Sequence, residues 1–321
     1  MKDKLSGPNT RLKEKPEAMI QAMIVFLLIF CLSPAVRGQD YLLEAKILVS
    51  ESQGQRMDLW IPLPLEDESQ RVLSLEIKAP CPFLVTKEKE YGNRFLYLCL
   101  PPQKIEVSYR ARIRRQEFSG IKAPCPPPSR FLLPDRLVPI EPFRSLAREL
   151  VRGQDTPLDK LRTLYDYVVS NLHYDKRGKG WGRGDALFAC SAKRGNCTDF
   201  HSLLMALARA EGIPVWFEIG LPVPQKGTEV KGYHCWLKAY VGGKIIGLDA
   251  SEAAKNPALK GYYFGHLDEK RLLLTRGRDL LLSPPQHGER LNFLYQAYLE
   301  VDLKPAPELV KTRYYLVPVS D

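Results

Sequence analysis

Apolar and polar positions alternate along the first third of the chain. The runs "YLLEAKILVS" from Tyr41, "QRMDLWIPLP" from Gln55, "RVLSLEIKAP" from Arg71, "NRFLYLCL" from Asn93 and "KIEVSYRARI" from Lys104 all show it, with Gly, Pro, Asn and Asp between them. A period of two marks a half-buried strand, because successive side chains point to opposite faces. Short strands at this spacing predict an antiparallel β-sandwich over residues 39–119.

Beyond residue 142 the period changes. In "DTPLDKLRTLYDYVVSNLHY", Leu158, Leu161, Leu164, Tyr165 and Val168 form a helical stripe. Asp155 or Thr156 can cap that helix, and Pro157 suits its first turn. The glycine-rich stretch "DKRGKGWGRGDALFAC" predicts a loop. A second helix follows in "SAKRGNCTDFHSLLMALARAEGIP", with Phe200, Leu203, Leu204 and Leu207 on one face and Gly212 and Pro214 as the stop. Strand signals then appear in "VWFEIG", "YHCWLKAYV", "KIIGLDAS", "RLLLT" and "LNFLYQAYLEVDL". A helix set ahead of an antiparallel sheet is an α+β arrangement, and no glycine fingerprint follows a first strand as a dinucleotide fold requires. The expected organisation is a sandwich at 39–119, a proline-rich connector at 120–142, an α+β domain at 143–283 and a β-rich C-terminal tail at 284–321.

Composition adds an address. Residues 1–38 hold a polar start with Arg11, Lys13 and Lys15, the apolar run "AMIVFLLIFCL", and then Pro34 and small residues. The run is short for a membrane span, which needs roughly 20 apolar residues, and fits the core of a secretory signal. The protein is therefore expected to be exported, to the periplasm or the extracellular space, with a membrane partner only if this segment stays uncleaved. The net charge is +10, but the basic residues are dispersed, so no nucleic-acid partner is expected. Six cysteines follow the segment, and export permits disulfides; Cys81 with Cys99 and Cys190 with Cys197 are candidate pairs.

The chemistry gathers around Cys197. Asn196 can cap the second helix, which puts Cys197 in its first turn, where free N–H groups and the helix dipole favour a thiolate. Gly195 would let a substrate approach the backbone. Cys197 alone has a plain reading as a packed thiol. Its neighbour Asp199 favours the helix and opposes a second anion. Downstream, Gly242-Gly243 joins two strand runs as a two-residue hairpin. If Val241 and Lys244 close the turn, Leu237 faces Leu248 and Trp236 faces Asp249. His234 then shares a face with Asp249, while Cys235 points to the opposite, apolar face as a packed thiol. A cysteine at a helix start with a histidine and an acid in register is the pattern of nucleophilic catalysis. A metal reading competes, with Cys190, Cys197, His201 and either His234 or Cys235 as ligands, but no paired C-x-x-C supports it.

The run "GNCTDFHSLLMALARAEGIP", then "GYHCWLKAYV", then "IIGLDAS" resembles the transglutaminase-like superfamily, with its papain-like core and its order Cys, His, Asp. The resemblance spans roughly Asp155 to Leu282 and is closest to exported bacterial members. It implies a thiolate nucleophile at Cys197, its acid–base partner at His234 and an orienting carboxylate at Asp249. It implies acyl transfer from a protein or peptide amide through a thioester, without a cofactor or metal. Water as acceptor would make the enzyme a peptidase or amidase, the favoured expectation because no acceptor-amine site is visible. The alternatives are a crosslinking transglutaminase or a non-catalytic binding protein on the same fold. No calcium loop of the D-x-[DN]-x-[DN]-G type is present. Trp181 in the glycine-rich loop is a candidate substrate-binding residue, although its size alone favours an aromatic anchor for the loop.

Overall fold

The computed structural model describes residues 38–226 and 228–319 together with a strand at Met23–Leu27. Apart from that strand, the expected export segment lies outside the described residues.

Alternation produces the strands where it predicts them: β1 (Gln39–Val49), β2 (Met57–Pro62), β3 (Gln70–Ala79), β5 (Arg94–Leu100) and β6 (Ile105–Arg115). A short β4 (Leu84–Lys87), mostly exposed, lies between β3 and β5. The second domain contributes helices α1 (Arg144–Leu150), α2 (Pro157–Asn171), α3 (Ala186–Ala192) and α4 (Cys197–Ala210). Strands β7 (Val215–Pro222), β8 (His234–Val241) and β9 (Lys244–Leu248) follow, then α5 (Ala250–Lys255) and β10 (Arg271–Arg276). Two more strands, β11 (Tyr298–Val301) and β12 (Val310–Val319), end the chain. The class is α+β.

The sandwich has two antiparallel sheets. One runs Met23–Leu27, β3, β6, β1, β12; the other runs Lys304–Pro305, β11, β2, β5, β4. Leu43, Ala45 and Ile47 meet Leu59, Ile61, Leu96 and Leu98 in its core. The segment 284–321 is therefore not an independent tail. Strand β12 pairs with β1 from Val310↔Val49 to Val319↔Asp40, and β11 pairs with β2. Without them, β1 and β2 would be open edges, which proteins avoid. Local periodicity shows that these segments are strands but not which distant strands they join. The six cysteines are free. Cys99 points outward between buried Leu98 and Leu100, while Cys81 packs against the sandwich core.

The connector is docked against the second domain. Ile121–Lys122 pairs with the start of β9, and the buried Arg209 of α4 binds Leu133 O at 2.8 Å and Asp135 Oδ2 at 2.6 Å. The sheet of the second domain runs Phe264–Gly265, β9, β8, β7, β10, all antiparallel. The hairpin register is the expected one, with Val241 opposite Lys244 and Leu237 opposite Leu248.

Helix α2 starts as its sequence dictates. Thr156 Oγ1 accepts from the Asp159 N–H at 3.1 Å, and Pro157 stands first. Leu158, expected in the stripe, is 46% exposed. As the second residue of α2, it precedes the stretch where the helix meets the core that buries Leu161, Leu164, Tyr165 and Val168. Helix α4 departs from expectation in the other direction, because every residue from Cys197 to Arg209 is buried. It packs on β7 and β8 and is enclosed by α1, α2, α3 and α5, so even its polar side chains find protein partners. It ends in a Schellman motif: Gly212, at φ +71°, donates to Arg209 O while Ile213 donates to Ala208 O.

The two domains are joined by a buried charge network. Lys238 is fully buried and donates to Asp67 Oδ2 and Glu68 Oε2, both at 2.8 Å, from the sandwich loop. Glu218 lies 3.9 Å away and accepts from Trp236 Nε1 and Arg276 Nε. Replacing Lys238 by Met removes the charge and leaves Asp67 and Glu218 undercompensated. Breaking one partner of a buried pair costs about 3 kcal/mol or more. Lys238→Met should therefore lower the urea midpoint of unfolding by that equivalent; an unchanged midpoint would show that the network is not stabilising.

Candidate active site

The start of α4 is built from short-range hydrogen bonds. Asn196 Oδ1 accepts from the Thr198 N–H at 3.0 Å, and Asp199 Oδ2 accepts from the Asn196 N–H at 2.9 Å, a capping box. Asp199 also receives the N–H groups of Gly182 at 2.7 Å and Gly184 at 3.0 Å, which fixes the glycine-rich loop beneath the helix start. Burial first, and the neighbouring Cys197 as well, push the Asp199 carboxyl above its ordinary value. The opposition between Asp199 and a thiolate is thereby softened. A Cβ at Gly195 would stand 2.4 Å from Asp199 Oδ2. The close approach that demands glycine there is made by Asp199, not by the substrate the sequence suggested.

Cys197 is 2% exposed and is the first residue of α4. Its own N–H has no intrahelical acceptor at that position. His234 opens β8, and Asp249 follows β9 directly. The hairpin brings them together: His234 Nε2 lies 2.7 Å from Asp249 Oδ2. That contact leaves His234 Nδ1 for the Cys197 sulfur, with which His234 hydrogen-bonds. Burial works against the charged imidazole, but the Asp249 carboxylate outweighs it and raises His234 to about 9. Asp249 is itself fully buried, which opposes its charge, yet His234 and Arg271 hold its carboxyl well below the usual range. Cys197 is lowered well below its ordinary value. The first cause is a hydrogen bond from Cys235; burial opposes it, and His234 adds to it.

Three groups at this centre escaped the sequence reading. Arg271 donates from Nη1 to Asp249 Oδ2 at 2.6 Å and from Nη2 to Asp268 Oδ2 at 2.6 Å. No local pattern links it to Asp249, which is 22 residues away. His201 is buried one turn along α4 from Cys197, and its Nε2 lies 3.5 Å from Asp249 Oδ1. Its i, i+4 spacing from Cys197 was the available signal, read as a possible metal arrangement. Cys235 is packed on the apolar face as expected, but its sulfur also lies 3.4 Å from His201 Nδ1 and hydrogen-bonds with Cys197. Burial and the Cys197 sulfur push the Cys235 thiol well above its ordinary value.

The Trp181 indole N–H donates to Gly178 O at 3.1 Å, and Lys176 lies over its ring, which are contacts within the glycine-rich loop. Tyr174, Tyr233 and Tyr295 pack against the core that holds Cys197, and burial first, then Cys197, raises their hydroxyls. Tyr233 and Tyr295 pack with ring centroids 4.6 Å apart, so the C-terminal segment helps wall the site. Among the described residues, the cluster of ligand-type side chains with donor atoms within 4.8 Å is His234, Asp249 and Glu252. Cys190, Cys197 and His201 are not gathered in this way. No described helix is long and apolar enough to cross a membrane.

The chain is similar to several known proteins. A family model for the transglutaminase-like superfamily matches residues 144–250. An uncharacterized protein of Haemophilus influenzae is 25% identical over 306 residues, covering 79% of this chain and 83% of its own length. A solved structure from Cytophaga hutchinsonii, provisionally assigned as a cysteine protease, aligns at a TM-score of 0.61 with 16% identity, over 89% of this chain and 92% of its own. The periplasmic domain of TgpA from Pseudomonas aeruginosa aligns at 0.36 with 16% identity, over 67% of this chain and 90% of its own. Residues 144–250 thus match the transglutaminase-like superfamily, and Cys197, His234 and Asp249 meet within that stretch.

Proposed function

We propose that the protein is an exported cysteine hydrolase that cleaves an amide bond in a protein or peptide substrate. The observation that carries this reading is the buried line from Asp249 through His234 to a sulfur at a helix N-terminus. The Cys197 thiolate attacks the carbonyl carbon, and the oxyanion is met by the Cys197 N–H at the start of α4. Collapse breaks the C–N bond, and protonated His234 gives its proton to the leaving amine. The acyl group is then held as a thioester. Neutral His234 next takes a proton from water, which attacks the thioester. The acid leaves, and the thiolate and imidazolium are restored. Asp249 holds the imidazole with Nε2 toward itself throughout. Export rests on the apolar run before Pro34.

The test is mass spectrometry of glutamine-containing and unmodified peptide libraries incubated with wild type and with Cys197→Ala. Cys197-dependent cleavage or deamidation supports hydrolysis. Crosslinks to an added amine would move the assignment to transglutaminase. No Cys197-dependent product and no acyl adduct would leave a binding protein.

The pH dependence follows from the pair. His234 is raised to about 9, so it is protonated below that pH and loses its proton above it. Cys197 is lowered, so its thiolate is lost only as pH falls through a value well below 9. The profile of kcat/KM should therefore be bell-shaped, with its alkaline limb near 9. An alkaline limb near the ordinary histidine value of about 6.5 would show that Asp249 does not support the imidazolium.

A further inference from the structure

The proposed triad uses one oxygen of Asp249 and one side of the Cys197 sulfur. The other oxygen and the other side are joined by a second line of buried groups. From Asp249 Oδ1 it passes 3.5 Å to His201 Nε2, then from His201 Nδ1 3.4 Å to Cys235 Sγ, and on to Cys197. The ring Cys197, His234, Asp249, His201, Cys235 is thereby closed. Packing alone does not account for it. His201 and Cys235 are both wholly buried, and His201 Nε2 has no partner at normal hydrogen-bond length. A buried imidazole with an unsatisfied nitrogen is destabilising, and an apolar residue would fill the same place without that cost.

We propose that Cys235 and His201 are positioning residues for the nucleophile, with the Cys235 S–H donating to the Cys197 sulfur and His201 holding the Cys235 sulfur in place. This rests on the reading of Cys197 as the nucleophile. The chemistry is that of a charge-assisted hydrogen bond in a dry site: a neutral thiol donor stabilises an adjacent thiolate and fixes its direction. His201 donating from Nδ1 to the Cys235 sulfur leaves the Cys235 proton free to point at Cys197. With Nδ1 as the donor, Nε2 carries the lone pair, in keeping with its lack of a hydrogen-bond partner, and it is burial within α4 that fixes the ring. The Cys235 proton is not transferred, because that thiol titrates well above Cys197.

The remaining ionisable groups near Cys197 do not explain the donor. Asp199, on the same helix, opposes a thiolate. Tyr174, Tyr233 and Tyr295 keep their protons through the working range. His234 favours the thiolate from the other side of the sulfur.

The experiment is the rate of Cys197 alkylation by iodoacetamide against pH, read by mass spectrometry of the Cys197 peptide. It compares wild type, Cys235→Ala, Cys235→Ser and His201→Ala, each checked for cooperative thermal unfolding. In wild type the inflection lies well below the ordinary thiol value. In Cys235→Ala and in His201→Ala it should rise by about one pH unit or more, the size expected for one hydrogen bond to a charged group. Cys235→Ser keeps a donor and should lie closer to wild type. A second measurement needs no variant: the S–H stretching band of Cys235 in wild type should shift when Cys197 is alkylated. An inflection unmoved in Cys235→Ala, or moved equally in Cys235→Ser, overturns the proposal, as does an S–H band blind to alkylation. Failure of the catalytic reading looks different, because Cys197 would then fail to alkylate below the ordinary thiol range even in wild type.

Discussion

Cys197→Ala should lower kcat/KM on the amide substrate on the order of 10⁶-fold while leaving thermal unfolding nearly unchanged. The size of the loss follows from the nature of the step. Without the sulfur no thioester forms, and the remaining groups can only bind the substrate and polarise its carbonyl. The small effect on stability follows from the position. Cys197 is the first residue of α4, and the helix start is secured by Asn196 and Asp199 rather than by the thiol. Losing one sulfur from the edge of the core leaves a void smaller than those that destabilise strongly. Cys197→Ser keeps the shape but replaces a group poised as its anion with a hydroxyl that is not, so it should be nearly as inactive. Steady-state kinetics of both variants beside a thermal melt makes the check. A Cys197→Ala variant within tenfold of wild type would place the chemistry elsewhere in the molecule.

The two elements that make this expectation possible were legible to different degrees. Helix α4 and the β8–β9 hairpin could be read because each is set by local rules: a cap, a 3.6-residue stripe, and a two-glycine turn that fixes which residues face one another. The Val241–Lys244 closure carried His234 and Asp249 to the same place with no further information. Arg271 could not be read in this way. It reaches Asp249 from β10, which pairs with β7 across the far side of the sheet, and nothing in its neighbourhood encodes that distance. The same limit explains β11 and β12. Their alternation shows two strands, but the partners lie some 240 and 270 residues earlier, and only the exposed edges of the sandwich select them.

Cys235 shows a subtler limit. Register arithmetic correctly assigned it to the apolar face, and an apolar face usually implies an inert thiol. That face is the one on which α4 lies, and α4 brings Cys197 and His201 with it. The side of a strand a residue occupies can be read from sequence; what is packed on that side is settled by the tertiary fold. Trp181 offers two readings, a substrate contact and an anchor for its loop, and the bond from its indole N–H to Gly178 O fits the anchor.

Asp249→Asn is the other change with a large expected effect, and its outcome can be worked out atom by atom. The groups hydrogen-bonded to this carboxylate are donors on both oxygens. Oδ2 faces His234 Nε2 and Arg271 Nη1, and Oδ1 accepts from the Glu252 N–H at 3.0 Å and Ser251 Oγ at 2.9 Å. An asparagine has one acceptor oxygen and one donor NH₂ group, so one of these two sets must lose its acceptor. If the oxygen stays with His234 and Arg271, the cap of α5 is lost and the NH₂ confronts Glu252 and Ser251. If it stays with the cap, the NH₂ faces His234, which must turn to the tautomer protonated at Nδ1. That tautomer has no lone pair to present to Cys197, so the base is disabled. The negative charge that holds His234 at about 9 is lost in both cases, and burial then drives the imidazole down. We expect kcat to fall about 10⁴-fold, the loss typical when an orienting carboxylate becomes an amide. The alkaline limb should move to lower pH together with it. The variant should also unfold at a lower temperature, because the buried Arg271 keeps only the partly exposed Asp268 as an anionic partner. The combined readout is decisive, since a purely structural role would lower stability without moving the limb. A kcat within tenfold of wild type and an alkaline limb still near 9 would show that the His234 imidazolium owes neither its orientation nor its charge to Asp249.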